Sequence, residues 1–134
     1  MKIVLDTNVL VSGLLYPFSS SGEIIRMVAS GDLQICYDAR ILYEYKDVLL
    51  RPKFSFDPED VHDLLYQIET CGFIVAATPL AKRLPDPNDE PFLEVALTGR
   101  VEYLVTGNQK HYPKAKRQKM TIISPTGFLN RIRK

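Results

Sequence analysis

Three carboxylates from separate parts of this chain, Asp6, Glu44 and Asp89, stand where metal-assisted hydrolysis of a phosphodiester would need them. Asp6 ends the apolar run Ile3-Val4-Leu5 and is expected at the end of a central strand. There an ionised carboxylate is costly without a cation or hydrogen-bond donors beside it. It could instead cap the segment that follows. Glu44 borders the apolar face of a helix that carries Ile41 and Val48. From there it overlooks the crevice, or pairs with a surface Lys or Arg. Asp89 belongs to the proline-stiffened acidic turn Leu84-Pro85-Asp86-Pro87-Asn88-Asp89-Glu90. Such a turn can hold oxygen ligands in fixed directions, and an acidic helix cap is the competing use. Hard oxygen ligands hold hard cations. One ion makes water nucleophilic near neutral pH, and a second, about 3.5–4 Å away, stabilises the leaving oxygen.

The elements that must position these groups follow a βαβα pattern. Short, nearly continuous apolar runs predict strands over 2–5, 33–36, 73–76, 103–106 and 121–124, as in a parallel sheet covered on both faces. Ser20 with Glu23 reads as a capping box for a helix stopped by Gly31. A second helix starts near Asp38 and turns Ile41, Leu42, Tyr45, Val48 and Leu49 inward. Asp57, Pro58 and Gly72 bound a third, which buries Val61, Leu64, Leu65 and Ile68. A fourth opens around 88–91 and ends at Gly99, and a short last one starts at Ser124-Pro125. In an open parallel sheet, ligands bind beyond the carboxyl ends of the strands. Asp6 and Thr106-Gly107-Asn108 are expected there, with Asp38 and Glu44 on the helix after the second strand.

At 134 residues and 46% hydrophobic, the chain can bury a core without disulfides or structural metal. Cys36 and Cys71 lack the spacing of a zinc pair and read as free thiols in a reducing compartment. No apolar run reaches the roughly 20 residues of a membrane span, and no signal-peptide pattern opens the chain, so a cytoplasmic protein is expected. The net charge of +1 hides an asymmetry: residues 1–102 carry 9 basic and 16 acidic side chains, residues 103–134 carry 8 basic and none acidic. A polyanion would be drawn to the basic third, where Lys110, Lys114, Lys116, Arg117 and Lys119 lie, and would need cations to approach the acids. The same lysines could also be a solvated loop. His111 could act on substrate or leaving group, although a lone loop histidine is commonly solvated.

The ordered set Asp6-Thr7-Asn8-Val9-Leu10, the Glu44 helix, Asp86-Pro87-Asn88-Asp89 before Phe92-Leu93-Glu94-Val95-Ala96, and Leu104-Val105-Thr106-Gly107 resembles PIN domains over nearly the whole chain. The resemblance implies a single PIN-like nuclease domain over residues 1–134, an α/β three-layer fold whose four- to five-stranded parallel sheet is flanked by helices. It also implies a Mg²⁺- or Mn²⁺-dependent ribonuclease. Asp6, Glu44 and Asp89 match the family's first three acids, as metal ligands and catalytic residues, and Asn8 matches its polar residue two places after the first. Where the family usually has a fourth acid, this chain has Asn108. Asn8, Thr106, Lys110, His111, Lys116 and Arg117 are the expected substrate contacts.

Glu44-Tyr45, Arg51-Pro52-Lys53-Phe54 and Thr106-Gly107-Asn108 resemble the subgroup of toxin ribonucleases from toxin–antitoxin pairs. The expected partners are therefore an RNA substrate, an antitoxin protein and a second copy of the chain in a dimer, with no membrane. The alternatives are a weakly active or non-catalytic RNA-binding PIN domain, and an RNA-processing nuclease outside any such pair. A phosphatase of the haloacid dehalogenase type would need an acid at Asn8. A response-regulator receiver would need a phosphoacceptor near Ala76-Ala77-Thr78, and there is none.

Overall fold

The apolar runs become five parallel strands in a computed structural model that describes residues 1–133: β1 (Lys2–Leu5), β2 (Gln34–Tyr37), β3 (Phe73–Ile74), β4 (Tyr103–Val105) and β5 (Ile122–Ile123). They form one sheet in the order β3-β2-β1-β4-β5. Ile3 lies opposite Ile35 on one side and Tyr103 on the other, and Leu5 lies opposite Val105. The strand order reverses between β1 and β4. That reversal opens a crevice at their carboxyl ends, where Asp6 and Thr106 stand.

Among the described residues six helices flank the sheet: α1 (Thr7–Leu15), α2 (Ser20–Ala29), α3 (Ala39–Leu49), α4 (Pro58–Cys71), α5 (Glu90–Thr98) and α6 (Pro125–Ile132). α5 packs on β1, β2 and β4, α1–α4 pack on one another, and α6 returns to pack on α2 and β4. Ile3, Val4, Leu5, Ile35 and Leu104 are buried between these layers, with Tyr45, Phe92 and Phe128 as large fillers. Among the described residues no helix is long and apolar enough to cross a membrane.

Local signals set most helix ends. Asp38 accepts from Ile41 N at 3.0 Å, Asp57 from Glu59 N at 2.9 Å, and Ser124 from Gly127 N at 3.0 Å. The cap of α2 is Ser19 rather than Ser20: its side chain accepts from Gly22 N at 3.1 Å, because the turn that bonds Ser19 N to Tyr16 O leaves Ser19 extended. Glu23 does not reach back to complete a capping box but pairs with Arg133. Gly31 takes φ +85°, beyond easy reach of a side-chain-bearing residue.

Two elements differ from the pattern read along the chain. α1 was not foreseen. Thr7–Leu15 is apolar around most of its circumference, so no 3.6-residue period stands out. β3 is a two-residue edge strand with Phe73 and Ile74 exposed, instead of a covered four-residue strand, because it has a neighbour on one side only. From there residues 75–86 run irregularly across α5. Buried Glu94 accepts from Leu80 N at 3.1 Å, and buried Glu90 accepts from Leu84 N at 2.9 Å. These two carboxylates, one helical turn apart, fix the path of the acidic turn.

Candidate functional site

Asp6 occupies the N-cap position of α1, yet its side chain makes no capping bond. Its Oδ2 accepts from Thr106 Oγ1 at 3.0 Å and from Tyr112 OH at 3.0 Å. Both lone-pair directions of that oxygen are therefore filled, and Oδ1 takes no side-chain hydrogen bond among the described residues. Burial pushes the Asp6 carboxyl up, opposed by the hydrogen bonds from Thr106 and Tyr112. The capping alternative for Asp6 does not hold.

Glu44 sits half-buried on α3 and accepts a hydrogen bond from the Thr7 hydroxyl. Among the described residues it forms no ion pair with Lys or Arg. Partial burial pushes its carboxyl up, the Thr7 hydroxyl opposes this, and the Asp6 charge adds to it. The neighbouring Tyr45 is buried and donates to Leu5 O at 2.6 Å, which ties α3 to the end of β1. Thr7 and Tyr45 together set how Glu44 meets Asp6.

Asp89, 8% exposed, leads into α5 without capping it. Among the described residues its Oδ2 is a buried oxygen with no hydrogen-bond partner. His111 Nδ1 lies 3.3 Å away, within ion-pair range but without hydrogen-bond alignment. Burial, then the charge of Asp6, pushes the Asp89 carboxyl up to about 6, with His111 opposing. Asp86 instead caps Asn88 N at 2.9 Å.

The amides complete the rim. Asn8 Nδ2 donates to Thr106 Oγ1 at 3.3 Å, and Asn8 Oδ1 accepts from Gly107 N at 2.9 Å. A Cβ at position 107 would sit 3.3 Å from that oxygen, so glycine permits the close approach. Asn108 N donates to Thr106 Oγ1 at 3.1 Å, and Asn108 Nδ2 lies 2.9 Å from His111 Nε2. If Nε2 accepts from that amide, the ring proton sits on Nδ1 and faces Asp89; this tautomer follows from the network.

Several expected substrate contacts are placed differently. Thr106 is fully buried, its hydroxyl held among Asp6, Asn8 and Asn108, so it stands behind the carboxylate and not on the substrate surface. Arg117 Nε donates to Tyr112 O at 2.7 Å, so it braces its own loop. Lys110 is exposed beside His111, and Lys116 is half-buried on a single 3-10 turn. Tyr112 went unremarked in the sequence. Its position inside a basic loop concealed that it is buried and bonded to Asp6.

The Asp6 charge raises the proton affinity of both Glu44 and Asp89, and the three could hold a divalent cation. Among the described residues no three acidic, His or Cys side chains gather tightly enough to form a finished cage. Like charges at one crevice repel, and Glu44 is turned to Thr7. The partnerless oxygen of Asp89 and the free oxygen of Asp6 fit a hard cation.

The elevation of Asp89 has a pH signature. Folding raises this carboxyl above its ordinary value near 3.8, so the folded protein keeps a proton that the unfolded chain has released. Its stabilising contribution is present below about pH 4 and lost as pH rises through about 6. In EDTA, Asp89→Asn is expected to melt at temperatures increasingly above those of the parent protein between pH 4 and 6. A constant difference across that window would mean Asp89 is not strained.

The family model described as PIN domain matches residues 2–110. Among solved structures, a chain of VapBC2 from Rickettsia felis, crystallised with a DNA fragment from the VapBC2 promoter, superposes with a TM-score of 0.58. The two share 17% identity, over 92% of this chain and 98% of the other. At that identity the likeness speaks for the fold. No curated protein sequence matches the chain.

Proposed function

The chain belongs to the PIN domain family, and from that premise we propose that it is a Mg²⁺- or Mn²⁺-dependent endoribonuclease, cleaving single-stranded RNA as the toxin of a toxin–antitoxin pair in the cytoplasm. The observation that carries this reading is the buried, partnerless Oδ2 of Asp89 in the field of Asp6. A buried carboxylate in that state calls for a cation. Asp6, Glu44 and Asp89 would hold it. When bound, the ion supplies Lewis acidity that makes water nucleophilic and offsets charge on the phosphate.

The protein's own groups do the rest. Thr106 and Tyr112 keep Asp6 Oδ2 occupied, so that Oδ1 is presented. Thr7 orients Glu44. His111, held between Asn108 and Asp89, sits at the exposed rim, where its ring edge can meet the substrate strand. Asn8, Lys110 and Lys116 offer donors and charge to the strand. The VapBC2 likeness and the toxin-like motifs together support an antitoxin partner, and a dimer belongs to the same reading.

Incubation with single-stranded RNA tests it: cleavage is expected with Mn²⁺ and absent in EDTA. RNA bound but left intact under both conditions would favour the non-catalytic reading. Asn108→Asp forms a second arm. It adds a fourth carboxylate beside Thr106, and calorimetric titration is expected to show severalfold tighter or additional Mn²⁺ binding without RNA. Unchanged binding would place position 108 outside the site.

A further inference from the structure

Beside the acidic end of the crevice lies a recess of about 460 Å³, lined by Asn8, Ser12, Ser21, Gly107, Asn108 and His111 among others, and containing no carboxylate. Asn8 and Ser12 are one turn apart on the same face of α1. Ser12 and Ser21 have hydroxyls without a protein partner among the described residues. The face leads to the turn over 16–19, roughly 10 Å from Asn8 along the helix. That turn exposes Tyr16 (64%) and Phe18 (99%), with Leu15 beside them.

A single exposed aromatic would mean little. This turn is held stiffly. Ser19 N and Oγ both bond Tyr16 O, at 3.0 and 2.6 Å, and Arg26 Nη1 holds Pro17 O at 2.5 Å. Gly22 lets the turn lie against α2, since a Cβ there would come within 2.2 Å of Pro17 O. The backbone of the turn is thus fixed, and its exposed aromatic side chains stand on the connection between Ser12 and Ser21, which both line the uncharged polar recess.

We propose that this recess and turn form a nucleobase subsite for single-stranded RNA, with Phe18 as the stacking surface for a base leaving the cleavage site. The inference rests on the reading of the chain as an RNA-cleaving enzyme. RNA is the occupant because the recess shares Asn8, Asn108 and His111 with the rim of the crevice that would hold the phosphate. The recess places no negative charge against a polyanion, and every base offers a face to an aromatic ring.

The test is binding of a short single-stranded RNA carrying 2-aminopurine, measured in EDTA by anisotropy and fluorescence. Phe18→Ala is expected to weaken binding about tenfold and relieve quenching of the base. Phe18→Trp should restore both. Phe18 is fully exposed, so neither change disturbs the core. Equal affinity for all three proteins overturns the subsite while leaving the nuclease reading intact. A change in self-association with unchanged RNA affinity also overturns it, by assigning the turn to a contact between copies. Failure of the parent protein to bind or cleave any RNA removes both readings together.

Discussion

Asp6→Asn removes metal-dependent RNA cleavage, by about a thousandfold or more, and at the same time raises the melting temperature of the metal-free protein. The two effects have one cause. The substituted amide keeps an oxygen that can accept from Thr106 and Tyr112, which bond Asp6 Oδ2 at 3.0 Å each, so the fold is retained. What disappears is a buried negative charge that burial penalises and that pushes on Glu44 and Asp89. For a chain of this length each kcal/mol of relief is worth about 3–4 °C. Cleavage assays with Mn²⁺ and thermal melts in EDTA are the two measurements. Parent-level cleavage would remove Asp6 from the site, and a lowered melting temperature would contradict mutual repulsion.

Tyr112 carries the next largest expectation, because its ring and its hydroxyl do different things. The side chain is fully buried and is among the largest in the core. Tyr112→Ala is expected to cost about 3–5 kcal/mol, as for other large aromatics, and to lower the melting temperature by about 10 °C or more. It would also remove the ring that anchors the loop, leaving the Arg117 bond to the carbonyl at position 112 as a remaining hold. Tyr112→Phe keeps the packing and deletes only the donor to Asp6 Oδ2. That oxygen can then turn, and Mn²⁺ affinity measured by calorimetry is expected to fall about tenfold, the usual consequence of losing a partner that orients a ligand. If Tyr112→Phe binds Mn²⁺ like the parent, the hydroxyl does not orient Asp6.

Helix ends written into neighbouring residues were legible in the chain. Asp57, Pro58 and Gly72 bound α4 as expected, and Asp38 and Ser124 cap α3 and α6, because a cap is a contact between residues two or three apart. β1 ends where Ile3-Val4-Leu5 meets Asp6 for the same reason. α1 was not legible, since a helix apolar on most sides shows no period, and the length of β3 depended on its edge position. Nothing in the sequence marked Glu90 and Glu94 as the acceptors onto which the irregular segment over 75–86 folds back.

By itself the amino-acid order determined which carboxylates end strands or open helices, and so which could meet at one sheet edge. It left open whether each would cap its helix or face the crevice. Tertiary structure decided that. The groups that draw Asp6 away from capping are Thr106 and Tyr112, 100 and 106 positions along the chain, and the group that closes on Asp89 is His111, from the same distant loop. Sequence patterns report interactions within a turn of helix or a step of strand. A carboxylate's orientation is set by whichever donors the folded chain brings to it, and here they arrive on the segment after β4, once the parallel sheet has placed β4 against β1.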